Sequence, residues 1–130
     1  MTNYYNNCAY PKPVDRKKKK KTNGYKNKAK RFCAYCGEPY AERHEIFAGP
    51  LRQISIDNEF QVDVCRRHHS ELQNNITAWA QAENKLLKAE CERRYLDQLM
   101  AEGLTEQEAL SIWISPEFIG KNYIEELIPC

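Results

Sequence analysis

Cys33-Ala34-Tyr35-Cys36, His44-Glu45-Ile46 and Cys65-Arg66-Arg67-His68-His69, all within residues 33–69, hold the reading on which the fold turns. Two pairs of soft ligands, each on a two-residue spacer, make the donor set of a tetrahedral zinc site. Cys33, Cys36 and Cys65 supply three thiolates. The fourth ligand is His68 or the adjacent His69, and the two-residue spacer from Cys65 favours His68. In so small a module the metal would contribute much of the folding free energy. His44 and one of the adjacent histidines are not needed for that ion, so a second metal can do chemistry beside the first.

Outward from the ligands, Phe32 to Gly37 reads as a zinc knuckle, with Gly37-Glu38-Pro39 closing a tight turn. Gly49-Pro50 marks a break. Ile54, Ile56, Phe60, Val62 and Val64 predict two short strands around a turn near Asp57-Asn58. From Arg66 to Glu102 neither Pro nor Gly interrupts the chain, and Leu72, Ile76, Trp79, Leu86, Leu87, Cys91, Tyr95 and Leu99 recur at roughly helical spacing. That pattern predicts one long helix stopped by Gly103. Thr105-Glu106-Gln107-Glu108 has capping-box spacing and opens a second helix to about Trp113. Ser115-Pro116 opens a third short helix or turn. Trp113, Phe118 and Tyr123, with Trp79, are expected to form a second core.

The 130 residues carry a net charge of only +2, which hides a split. Residues 1–31 hold eleven basic side chains against the single Asp15, a charge of +10, leaving nine basic against seventeen acidic residues and −8 for residues 32–130. Rich in Asn, Tyr, Pro and Lys, residues 1–31 cannot bury enough apolar surface to offset chain entropy and are expected to form a disordered arm. Lys17, Lys18, Lys19, Lys20 and Lys21 suit non-specific contact with phosphates, and Tyr4, Tyr5, Tyr10 and Tyr25 suit stacking on bases. The polar start shows no signal peptide, and no apolar run is long enough to span a membrane. A reducing, cytoplasmic setting makes the paired cysteines metal ligands, not disulfides. Cys8, Cys91 and Cys130 are left as ordinary thiols.

The second site has its own logic. A hairpin followed by a helix can bring His44 together with His69 at the helix start, on one divalent ion. Glu45, next in sequence to His44, can serve as general base for a water, and Arg66 and Arg67 can grip a phosphate. The competing reading makes His44 and Glu45 solvated residues of a strand edge.

Cys33 to Gly37, Arg43-His44-Glu45-Ile46-Phe47, Gly49 and Val64 to His69 resemble the zinc-stapled HNH endonucleases of phages and prophages, over residues 32–76. Phe118-Ile119-Gly120-Lys121-Asn122-Tyr123 also resembles, loosely, the tail of a phage-encoded HNH-like group. The resemblance implies an α+β fold. A ββα-metal module at residues 32–76 would be followed by a long helix and short C-terminal helices at 77–130, behind the disordered basic arm. It implies metal-assisted hydrolysis of DNA with Mg²⁺, Mn²⁺ or another divalent cation beside the structural Zn²⁺. His44 and His69 would then be ligands of the catalytic ion, and Glu45 would stand where the family usually has its general-base histidine. A carboxylate is ionised at neutral pH but is a weaker base than imidazole, and Glu45 can instead be a metal ligand. The family's middle asparagine corresponds to Asn58, with Asn74 or Asn75 as alternatives. The competing function is a zinc-binding DNA adaptor without catalysis.

Overall fold

Residues 28–127 are described in the computed structural model. The lysine run Lys17–Lys21, the four arm tyrosines, Cys8 and Cys130 lie outside them. Lys28 and Arg31, at the end of the expected arm, are packed against the module. Arg31 is buried, its C=O accepts the Ala41 N–H at 3.1 Å, and Lys28 Nζ lies 3.7 Å from Glu42 Oε2. The folded part therefore begins before residue 32.

The knuckle forms where the glycine predicted it. Gly37 takes a φ of +77°, in the left-handed region that favours glycine. Its N–H reaches the Cys33 C=O at 2.9 Å, and the Cys33 N–H donates to the Glu38 C=O at 2.9 Å. A third bond, from the Ala34 N–H to the Asp63 C=O at 2.8 Å, fastens the knuckle to the sheet.

That sheet has two antiparallel strands, β1 (Glu42–Glu45) and β2 (Gln61–Val64), with His44 opposite Val62 and Glu42 opposite Val64. The two-residue period puts Glu42 and His44 on the buried face of β1. The strand expected through Ile54 and Ile56 does not form. Both residues lie in a short helix, α1 (Arg52–Asp57), after a 3-10 turn at Gly49–Leu51. Ser55, fully buried, accepts the Phe47 N–H at 2.9 Å and donates to the Phe47 C=O at 2.8 Å. The hydroxyl satisfies backbone groups that a strand partner would otherwise take, and tertiary context overrides the β preference of two isoleucines.

The uninterrupted helix over Arg66–Glu102 is corrected as well. It is two helices, α2 (Arg66–Asn74) and α3 (Ala78–Ala101). Asn75 adopts the left-handed conformation (φ 54°, ψ 38°), and the Thr77 hydroxyl caps α3 by accepting the Ala80 N–H at 3.0 Å. Asn is the residue besides Gly that ends a helix this way, and Thr is a good N-cap. Of the expected apolar stripe, Leu72, Leu87 and Cys91 are buried, whereas Ile76 is 77% exposed and Leu86 43%.

The C-terminal punctuation follows the sequence closely. Gly103 follows the end of α3, and α4 (Glu106–Trp113) carries the complete Thr105/Glu108 capping box. After a turn at Ser115-Pro116, α5 (Tyr123–Leu127) closes the described chain. Trp113, fully buried, sits edge-on to Phe47 and Phe60 at ring separations of 5.7 Å each. One core cluster thus joins the metal module to the C-terminal helices, in place of a separate second core. Trp79 is 39% exposed and packs on Tyr35 and His68 instead. The molecule is an α+β protein with a two-stranded sheet, several helices and one long helix. No described helix is long and apolar enough to cross a membrane.

Candidate metal centre and the adjoining recess

The start of α2 decides both sites. Cys65 is the N-cap, in extended conformation, and its C=O accepts the His69 N–H at 2.8 Å. A cap and the residue three positions on project to the same side of a helix, so Cys65 and His68 both face the knuckle. His69 is rotated by about 100° and faces β1. Two adjacent histidines therefore serve two different places.

At the first place Cys33, Cys36, Cys65 and His68 bring their ligand atoms within 4.8 Å of one another. His68 Nδ1 is 3.4 Å from Cys33 Sγ and 3.2 Å from Cys65 Sγ, and the sulfurs of Cys36 and Cys65 are 3.7 Å apart. Around a tetrahedral zinc, with bonds near 2.3 Å to sulfur and 2.0 Å to nitrogen, two sulfurs stand about 3.8 Å apart and a sulfur and a nitrogen about 3.5 Å. The four residues are thus positioned to hold a metal ion, and their donor set suits zinc. Burial alone would raise the Cys33 thiol. Backbone N–H groups of Cys65, Cys36 and Tyr35 outweigh it and hold the group down at about 6, which favours the thiolate a metal binds. Tyr35, from inside the knuckle, donates its hydroxyl to Glu83 Oε2 at 2.7 Å and so ties the centre to α3.

At the second place His44 is 6% exposed, which removes the reading of a solvated strand-edge residue. Its ring meets that of His69 edge-on, the centroids 5.1 Å apart. Burial, with the nearby charges of His69 and Lys88, pushes His44 down to about 4, so its imidazole is neutral at physiological pH. His69 Nδ1 lies 2.7 Å from Glu42 Oε1, and the partner ring holds the Glu42 carboxyl below its usual range. With Nδ1–H donated to a carboxylate, the other ring nitrogen of His69 is left as the acceptor or ligand. Sequence reading missed Glu42. Its signal was the two-residue spacing to His44, which puts both on one face of a strand.

His44 and Glu45 line a recess of about 450 Å³ together with Arg52, Gln73, Asn75, Asn84 and Lys88. His69 lines a shallower adjoining one with Glu42, Arg66, Ser70 and Gln73. The two histidines, expected in one cavity, touch at the wall between two, and Gln73 belongs to both. Gln73 lies one helical turn beyond His69, a spacing that could have flagged it. Glu45 receives the Arg52 Nε–H on Oε1 at 3.1 Å, while its Oε2 is buried and makes no hydrogen bond.

The other expected site residues divide. Asn58 caps α1 by donating its side-chain N–H to the Ile54 C=O at 2.9 Å and lines neither recess. Asn75 does line the larger one, and its Oδ1 accepts from Asn84 Nδ2 at 2.9 Å. Arg66 stands at the rim beside His69, highly exposed and 3.9 Å from Glu42 Oε2. Arg67 points elsewhere, to Glu71 at 3.6 Å. Lys17–Lys21 lie outside the described residues. Comparison of the chain with protein-family models, with curated proteins and with solved structures gives no match.

Proposed function

We propose that the chain is a metal-dependent DNA endonuclease of the HNH type, phage or prophage in origin and acting in the cytoplasm of the host cell. Cys33, Cys36, Cys65 and His68 hold a structural Zn²⁺ that staples knuckle to helix. His44 and His69 hold a catalytic divalent cation. The carrying observation is the pair of imidazoles: buried His44, neutral, edge-on to a His69 that Glu42 orients from behind. Two imidazoles on one ion with bonds near 2.1 Å would have centroids about 5 Å apart, with which the separation of these rings is compatible.

Mg²⁺ or Mn²⁺ bound there would polarise the scissile phosphate and stabilise the leaving oxygen. The chain's own residues do the rest. Glu42 keeps the His69 ring in orientation. Glu45 Oε2, buried and without a hydrogen-bond partner, is the acceptor for a proton from the attacking water. Arg66 at the rim contacts the phosphodiester, and the lysine-rich arm adds sequence-independent affinity.

A second reading, a zinc-binding DNA adaptor without catalysis, draws support from the Arg52–Glu45 ion pair, which occupies one oxygen of the base. Supercoiled plasmid incubated with the purified protein and Mg²⁺ or Mn²⁺ separates the two. Nicking that disappears in His44→Ala is expected. Salt-dependent DNA binding with no nicking under either cation would leave the adaptor.

A further inference from the structure

The larger recess does not end at the histidines. Asn75, Asn84 and Lys88 also line a second depression of about 300 Å³, whose remaining walls are Gln81, Lys85, Lys121, Tyr123 and Glu126. The two form one trough from His44 and Glu45 along α3 to the start of α5. Gln81, Asn84, Lys85 and Lys88 stand at i, i+3, i+4 and i+7, so a single face of α3 supplies its floor.

The charges of this trough are unbalanced. Its cations are Arg52, Lys85, Lys88 and Lys121, and its carboxylates are Glu45 and Glu126. Arg52 pairs with Glu45, and Lys121 with Glu126 at 2.8 Å. Lys85 and Lys88 make no ion pair among the described residues. Lys88 is half-buried, with its ammonium 5.3 Å from the centroid of the Tyr123 ring. Burial and the neighbouring Lys121 work against its charge, and the Glu126 carboxylate offsets them only in part. The amides of Asn84 and Gln81 are engaged elsewhere: the Asn84 side-chain N–H groups go to the Leu72 C=O and Asn75 Oδ1, and Gln81 reaches the Asn75 C=O. Residues 32–130 carry −8 overall, so two lysines without a direct ion-pair partner, sharing Glu126 with Lys121, stand against the charge of the body around them.

We propose that this trough is the track of a DNA strand, with Lys85 and Lys88 binding consecutive backbone phosphates beside the one held at His44 and His69. The inference rests on the nuclease reading for the identity of the strand, but not for the presence of a phosphodiester site. Lys85 and Lys88 lie one turn apart, about 4.5 Å along the helix, and flexible stems let their ammonium groups spread to the spacing of neighbouring phosphates.

The test is fluorescence anisotropy of a labelled DNA duplex with the full zinc-loaded chain, without Mg²⁺ or Mn²⁺, across a salt series. Lys85→Ala/Lys88→Ala should weaken binding about tenfold or more and reduce the slope of log affinity against log salt by about 2. Lys85→Arg/Lys88→Arg should keep the slope, since charge is conserved. An unchanged slope and affinity in the alanine pair would overturn the inference, and so would an equal loss in the arginine pair, which would assign the effect to packing on Tyr123. Because the anisotropy reads no cleavage, the plasmid assay stands as a separate readout, and binding through these lysines with no nicking there keeps the track and removes the nuclease. Nicking that survives with an unchanged salt slope does the reverse.

Discussion

The cysteine cluster and the histidine recess are served by adjacent residues of one helix turn, yet they are built in different ways. At the cluster four ligand atoms already stand within 4.8 Å, supplied by a tight turn and by a helix N-cap with its i+3 residue. Nothing beyond local backbone geometry is needed once the two halves meet. At the recess His44 comes from the middle of a strand and His69 from the helix. A third group, Glu42, holds one of them through a 2.7 Å contact. One oxygen of Glu45 is paired and the other is not. A closed donor set suits a structural ion, whereas open coordination and an unsatisfied carboxylate oxygen suit chemistry.

The largest effect that distinguishes them should follow from Cys65→Ser. A structural zinc is worth about 10–16 kcal/mol of folding free energy in small modules, so zinc content by elemental analysis and folded content by circular dichroism should fall together. Chelation of the wild-type metal should do the same. A variant that loses zinc and keeps its melting temperature would show that the shared core around Phe47, Phe60 and Trp113 suffices, and the contrast between the two sites would dissolve.

Next in size is the acid response of the recess. His44 is depressed from its ordinary 6.5 to about 4 by burial. As pH falls from about 6.5 to about 4 the unfolded chain takes the proton first, so stability declines through that window by at most about 3 kcal/mol. Above 6.5 both states are neutral and His44 contributes no slope. Thermal melts of the apo-recess protein, zinc retained, should show this loss between pH 6.5 and 5, and His44→Gln should remove most of it. An identical pH profile in His44→Gln would assign the acid sensitivity to the cysteine cluster.

Glu42→Gln should leave zinc content unchanged and weaken Mn²⁺ binding by about 10–100-fold, because the ring of His69 loses its anionic partner. Titration calorimetry on the zinc-loaded chain checks it. Loss of both metals would mean that Glu42 supports the fold and not the recess. The smallest effect serves as a control outside both places. Thr105→Ala removes the cap of α4 and should cost about 1 kcal/mol in a denaturant melt, with zinc content and Mn²⁺ affinity unaltered.

Local chemistry was legible in the chain. Cys-x-x-Cys, a glycine for the positive φ at 37, Cys65 three residues before His68, and the Thr105/Glu108 box each act over a few residues, where backbone geometry leaves little choice. The helix break at Asn75 had a signal too, an Asn that tolerates the left-handed conformation ahead of a capping Thr. It was masked by counting only Pro and Gly as breakers. Ile54 and Ile56 misled because two β-branched residues state a preference that the hydrogen bonds of Ser55 to Phe47 override.

By itself the sequence determined which side chains could bind a metal and where α4 begins, while His68 and His69 stayed alternatives for the fourth ligand beside the cysteines. Only the tertiary structure decided that β1 runs over Glu42–Glu45 against β2 and that Glu42 stands behind His69. It also turned Asn58 away from the recess and brought Asn75 and Lys88 to it, with Lys85 in the adjoining depression. The reason is the range of the interactions. Caps, turns and ligand spacers are settled within a turn or two of chain. The register across residues 46–60 and the approach of α3 to β1 are settled by burial of Phe47, Phe60 and Trp113 in one core, which no short stretch of sequence contains.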